Sequence, residues 1–191
     1  MKYYTLLEYY RRDVYFYYDH IKNTISHVDI LKGSKIDCLE NVYYKVDKID
    51  TYIDKYDILS TGIISLVSLK MKILLEKIAN SVCNFVPAVI EDKKGNINTN
   101  FFVLSLSSIV DCFDMSKSEY EIDDGFEYPD NIRVQSVFFD YNKLGTHHIY
   151  ETIINPSIIV SEYFIQEVKK QKLRGFKFIK EGNIWDSEFF E

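Results

Sequence analysis

The amino-acid sequence predicts an α+β fold in which a mixed or antiparallel β-sheet is packed by two main helices, at about residues 68–81 and 162–174. Two observations predict it. First, one pattern occurs twice: Ile63-Ile64-Ser65-Leu66-Val67-Ser68 precedes a helical run and then Phe85, and Pro156-Ser157-Ile158-Ile159-Val160-Ser161 precedes a helical run and then Phe178. Aligning Val67-Ser68 with Val160-Ser161 places Phe85 on Phe178 without a gap. Both copies read as strand, serine cap, helix, strand. Second, the apolar residues elsewhere fall in short runs of Tyr, Phe, Val and Ile bounded by turn residues, as strands do.

Residues 1–18 carry eight aromatics, among them Tyr3, Tyr4, Tyr15 and Phe16, and predict one or two strands with a hairpin around Arg11, Arg12 and Asp13. A helix over residues 6–12 competes with that reading. Residues 19–60 read as a polar, irregular region of short elements, with a turn at Gly33-Ser34. In the first copy Ser68 is the expected N-cap. Met71, Leu74, Leu75 and Ile78 then recur at helical spacing and share one face. A strand is expected to open at Pro87 and to form a hairpin with residues 101–106 through the turn Lys94-Gly95-Asn96. Residues 109–115 continue as a strand after a bend. Residues 116–130 read as an acidic loop with at most one short strand, and 132–139 and 147–154 as further strands. In the second copy Phe164, Ile165 and Val168 form the helix's apolar face, and Gly175 is expected at its left-handed C-terminal position.

At 191 residues the chain suits a single domain: a Tyr-rich part (1–60), a core (61–180) and an acidic tail (181–191). A chain of this size buries about 70% of its unfolded surface, and 47% apolar residues supply the material for a core. The net charge of −6 weighs against nucleic acid as a partner, since that affinity rests on Lys and Arg neutralising phosphates. Three cysteines, Cys38, Cys83 and Cys112, with no CxxC, fit free thiols in a reducing compartment. The N-terminal residues contain no secretory apolar region, and the most apolar window, 58–69, is too short to span a bilayer. A cytoplasmic location, with no membrane partner, is the expectation.

Motifs for chemistry are sparse. The seven glycines are isolated, so neither a P-loop nor GxGxxG exists, and no GxSxG elbow occurs. His147 and His148 are strand neighbours pointing to opposite faces and do not chelate one metal together. Asp130, Glu167 and Lys169 superficially match a metal-dependent nuclease, but Glu167 and Lys169 fall in a helix, where residues two apart do not face each other. The enzymatic alternative is a small metal-dependent hydrolase or nuclease using Asp111 and Asp114 as its carboxylates. The acidic run offers a contact surface for a basic partner: Glu119, Glu121, Asp123, Asp124 and Glu127, with Tyr120 and Tyr128 as aromatic anchors.

Several segments in order carry a resemblance: Val67-Ser68-x-Lys70 opening a helix, Pro87-Ala88-Val89, and Phe101-Phe102-Val103-Leu104 leading to Val110-Asp111-Cys112-Phe113-Asp114 and Ser118. His148-Ile149-Tyr150, Ile158-Ile159-Val160-Ser161 and Leu173-x-Gly175-Phe176-x-Phe178 follow. Over about residues 60–180 this resembles immunity protein family 11 of bacterial polymorphic toxin systems. Members often place a basic residue after the aromatic of the histidine segment, where this chain has Glu151. The resemblance implies one immunity-type domain, cytoplasmic and non-catalytic, without metal or cofactor. It also implies a cognate toxin, encoded by the adjacent gene, that the protein binds and blocks by occlusion.

Overall fold

A computed structural model describes residues 1–9, 14–31, 40–62, 64–127, 132–154, 157–182 and 187–190. In chain order its first strands are β1 (Tyr3–Glu8), β2 (Tyr17–Tyr18), β3 (Val42–Val46), β4 (Ile58–Ser60), β5 (Ser65–Ser68), β6 (Cys83–Asp92) and β7 (Ile97–Leu106). They are followed by β8 (Ile109–Val110), β9 (Glu119–Ile122), β10 (Ile132–Ser136), β11 (Ile149–Thr152), β12 (Ile158–Ser161), β13 (Phe176–Ile179) and β14 (Ser187–Phe190). The helices are α1 (His27–Leu31), α2 (Leu69–Ala79) and α3 (Glu162–Gln171). The fold is α+β with mixed sheets. Among the described residues no helix is long and apolar enough to cross a membrane.

Two compact units divide the chain: one comprises Met1–Leu7, Ser108–Gln171 and Phe176–Phe190, the other Glu8–Ser107 and Lys172–Gly175. Each sequence copy builds the centre of one of them. In the second unit the sheet order is β2-β3-β6-β7-β5-β4. Strand β7 is antiparallel to both β5 and β6, so the two strands of the copy run parallel with β7 between them. In the first unit the order is β14-β13-β1-β12-β11-β8, and β1 occupies the corresponding place between β12 and β13. Each copy therefore opens a slot that a strand from outside it fills, β7 following its copy and β1 preceding its own.

Both serines cap as expected. Ser68 Oγ accepts from Met71 N at 3.2 Å, and Ser161 Oγ accepts from Phe164 N at 3.2 Å. Helix α2 buries Met71, Leu74, Leu75 and Ala79, and α3 buries Phe164, Ile165 and Val168. The second unit's core joins alternate residues of its strands (Val42, Tyr44, Val46, Val86, Ala88, Ile90) to Ile30 of α1.

Several local expectations differ from the structure. The residue 1–18 strands do not pair with each other: β1 pairs with β12, and β2 pairs with β3. The turn expected at Arg11, Arg12 and Asp13 lies outside the described residues. Pro87 sits inside β6 rather than at its start, at the point where β3 begins to pair (Val42 with Ala88). The strand expected over 109–115 is reduced to Ile109–Val110, with an isolated bridge from Phe113 to Phe139. Helix α3 stops at Gln171, and Lys172 takes the left-handed conformation (φ 54°) expected of Gly175. Gly175 has φ 100° for another reason: a Cβ there would lie 2.9 Å from the carbonyl oxygen of Ile58.

The β6–β7 turn is organised by one carboxylate. Asp92 Oδ1 accepts from Lys94 N at 2.8 Å and Asn96 N at 3.0 Å, while Oδ2 accepts from Asn96 Nδ2 at 2.9 Å and Ile49 N at 3.3 Å. The Asn96 side chain and then these backbone donors push its pKa down to about 2. An unfolded aspartate titrates near 3.9, so the stability from this group is present above about pH 4 and lost as pH falls toward 2. Asp92→Asn is expected to flatten that part of the acid limb. Denaturation curves between pH 2 and 6 check it, and parallel acid limbs for the two proteins would refute it.

Candidate functional site

Strands β9 and β10 form a two-stranded antiparallel ribbon belonging to neither large sheet, with Ile122 opposite Ile132, Glu121 opposite Arg133 and Tyr120 opposite Val134. The period-2 alternation of a strand gives this ribbon two unlike faces. Tyr120, Ile122, Ile132 and Val134 share one, and Glu119, Glu121, Arg133 and Gln135 share the other. Ile132 and Val134 lean on the first unit's core around Phe113, Phe139 and Tyr150. The β9 side remains open: every residue of that strand is exposed, Ile122 at 60%, and beyond it Phe126 is exposed at 59%.

Five of the acidic and aromatic residues anticipated as a contact surface, Glu119, Tyr120, Glu121, Asp124 and Glu127, are exposed on β9 or the turn after it. Asp123 is half-buried and shapes that turn. Its carboxylate accepts from Gly125 N at 3.0 Å and pairs with Arg133 at 2.7 Å. Glu121 accepts from Gln135 Nε2 at 2.7 Å. Tyr128 lies outside the described residues. Sequence reasoning overlooked Ile122 and Phe126 as members of the surface, although the alternation of Tyr120 and Ile122 with Glu119 and Glu121 was a readable signal.

A dense set of hydrogen bonds holds the ribbon's base. Ser118 Oγ accepts from Phe138 N at 2.9 Å, and Asp114 N donates to Phe138 O at 2.8 Å. Glu181 accepts from Phe139 N at 2.7 Å and from the Tyr141 hydroxyl at 2.6 Å. The exposed strand is therefore presented by ordered neighbours, which lowers the conformational cost of binding.

The carboxylates of the enzymatic alternative are engaged in structural contacts. Asp114 accepts from Ser116 Oγ at 2.6 Å and Lys117 Nζ at 2.6 Å, and these contacts, that of Lys117 foremost, push its pKa down to about 2. It holds no proton near neutrality with which to act as an acid. Asp111 faces Lys143 at 3.8 Å. Glu167 is buried in α3 with Lys170 at 3.6 Å, and Asp130 lies outside the described residues. Among the described residues no three His, Cys, Asp or Glu side chains are grouped to hold a metal ion.

Ser161 and His148 lie 2.9 Å apart, the spacing of a nucleophile and its base. Ser161, however, is 0% exposed and its oxygen caps α3, so the pair is a buried scaffold contact. Burial lowers the His148 pKa, with a further push from His147. Cys83 and Cys112 are buried thiols pushed up to about 12 by desolvation, which removes them as thiolate nucleophiles; Cys38 lies outside the described residues.

A family model described as an immunity protein family (Imm11) matches residues 37–183, which extends the resemblance read over 60–180 to most of the chain. No curated protein matches the chain significantly.

Proposed function

The chain belongs to the Imm11 immunity protein family, and from that premise we propose that it neutralises the cognate toxin of a bacterial polymorphic toxin system by binding it and covering a surface the toxin needs. The protein does this from the cytoplasm and without catalysis. The family match carries the reading. The exposed ribbon supports it, since an acidic strand interleaved with Tyr120 and Ile122 combines long-range attraction for a basic partner with apolar anchors. Asp114 and Ser161, engaged in a turn and in a helix cap, serve the scaffold in this reading.

The experiment is co-expression with the product of the adjacent gene. That product alone is expected to arrest growth, and this protein to restore growth and to co-purify with it. An adjacent product that is harmless, or whose toxicity persists in the presence of this protein, refutes the reading.

A further inference from the structure

The ribbon offers backbone as well as side chains. In an antiparallel pair each strand turns the N–H and C=O of alternate residues toward its partner and those of the others away from it. Among the described residues β9 pairs with β10 alone, so the outward groups of β9 face no other strand. All four residues of β9 are exposed, which leaves this edge open to the approach of a further strand.

The other edge of the ribbon differs. Strand β10 carries an extra residue, Gln135, where the register shifts between Val134 and Ser136, and such a bulge breaks the regular spacing of a ladder. Ile132 and Val134 are also half-buried against the core around Phe113, Phe139 and Tyr150. Bulges and covered flanks are devices that blunt a sheet edge. Strand β9 has neither. What it carries is charge, and the sign of that charge selects the occupant.

An added strand sets its side chains about 5 Å from those of β9 on each face. On one face they meet Glu119 and Glu121, and on the other Tyr120 and Ile122. The one cation on the acidic face, Arg133, is already held by Asp123 at 2.7 Å. Exposed Asp124 and Glu127 beyond the strand add to the negative field. A second copy related by a two-fold axis would lay the same face alongside, glutamates against glutamates, which is destabilising. A strand that alternates Lys or Arg with apolar residues complements both faces at once.

We infer that the outer edge of β9 is an acceptor for a β-strand of a protein partner, one alternating basic and apolar residues, which joins the ribbon through main-chain hydrogen bonds. In this mode the backbone supplies affinity and the side-chain alternation supplies selectivity. Naming the toxin as owner of that strand rests on the toxin-binding proposal; the preference of the edge for a basic alternating strand does not.

Solvent-exchange rates of the β9 amides in the full-length protein, measured by NMR, test it with the acetylated and amidated peptide Lys-Val-Lys-Val-Lys-Val. At about ten times its Kd the peptide is expected to slow the outward amides about tenfold and to leave their inward neighbours unchanged, a period-two pattern. No protection up to the solubility limit of the peptide would overturn the inference. The Glu-Val counterpart is expected to give none, and equal protection from it would overturn the charge selection. The Lys-Val peptide N-methylated at every residue keeps its side chains and charge but has no backbone donors. It is expected not to bind, and binding equal to the parent's would replace strand pairing by side-chain contact. Period-two protection in the free protein that grows with its concentration would make a second copy the occupant and would also overturn the inference.

In the complex with the product of the adjacent gene the same outward amides are expected to be protected. A complex that relieves toxicity and leaves them exchanging as in the free protein would overturn the toxin as owner of the strand. The peptide results hold whether or not co-expression relieves toxicity, so the edge and the immunity reading fail separately.

Discussion

Replacing Asp57 by alanine is expected to lower the stability of the second unit by about 3 kcal/mol, since hydrogen bonds to a charged group contribute about 1.5–3 kcal/mol each. Asp57 is 8% exposed and serves two elements at once. Its Oδ1 accepts from the Ser68 hydroxyl at 2.6 Å, the same oxygen that caps α2, and its Oδ2 accepts from Arg174 N at 2.9 Å. Its backbone binds the same two residues, donating to Arg174 O at 2.8 Å and accepting from Ser68 N at 3.0 Å. Alanine leaves the Arg174 amide unpaired and frees the cap serine to rotate. Relief of carboxylate desolvation offsets only part of that. Asparagine is expected to cost about half as much, because its oxygen can accept from Arg174 while its NH2 donates to Ser68. Ser68→Ala removes the cap and the hydroxyl bond to Asp57 but keeps the Arg174 contact, and is expected to cost about 2 kcal/mol. Denaturant titrations with hydrogen exchange at the α2 amides check the order, and an Asp57→Ala protein no weaker than Ser68→Ala would refute the shared role.

The contrast between Ser68 and Asp57 explains what was legible in the sequence. The cap accepts from an amide three residues away, so local spacing sufficed, and the same holds for Ser161 and for the buried faces of α2 and α3. Asp57 acts on Arg174, 117 positions away, and nothing local marks it among the neighbouring aspartates. Strand β3 was missed for a related reason. Val42, Tyr44 and Val46 alternate properly, but the run is five residues long, and its main partner, β6, lies far along the chain. Pairing also decided the fate of the N-terminal strands: β-propensity placed them, and only non-local register sent β1 and β2 to different sheets. At the candidate surface the acidic residues were legible as a charged run. Its apolar side was readable only in part: Tyr120 and Ile122 alternate with Glu119 and Glu121, but the register that sets Ile132 and Val134 opposite them exists only once β10 pairs with β9.

That apolar side sets the expected result for toxin binding. Tyr120→Ala and Phe126→Ala are each expected to weaken the complex with the toxin by about 2 kcal/mol, roughly 30-fold, as central aromatic anchors do. The effect should fall mainly on the dissociation rate. Reversing charge at Glu121, Asp124 and Glu127 is expected to act differently. It should cut the association rate by about tenfold at low salt and leave it nearly independent of ionic strength, because steering charges work at long range and are screened within about 10 Å at 0.1 M. Asp123 is excluded from the reversal because its carboxylate holds Gly125 and Arg133, and losing it would reshape the turn. All five targets are exposed, so the free protein should keep its stability. The two classes of variant thus separate in one kinetic experiment, aromatics in dissociation and acids in association. If both rates are unchanged across the set, the ribbon is not the docking surface, even where the protein still neutralises the toxin. If the aromatic variants weaken binding and the charge reversal does not, contact is made through the apolar edge and the acidic residues serve solubility.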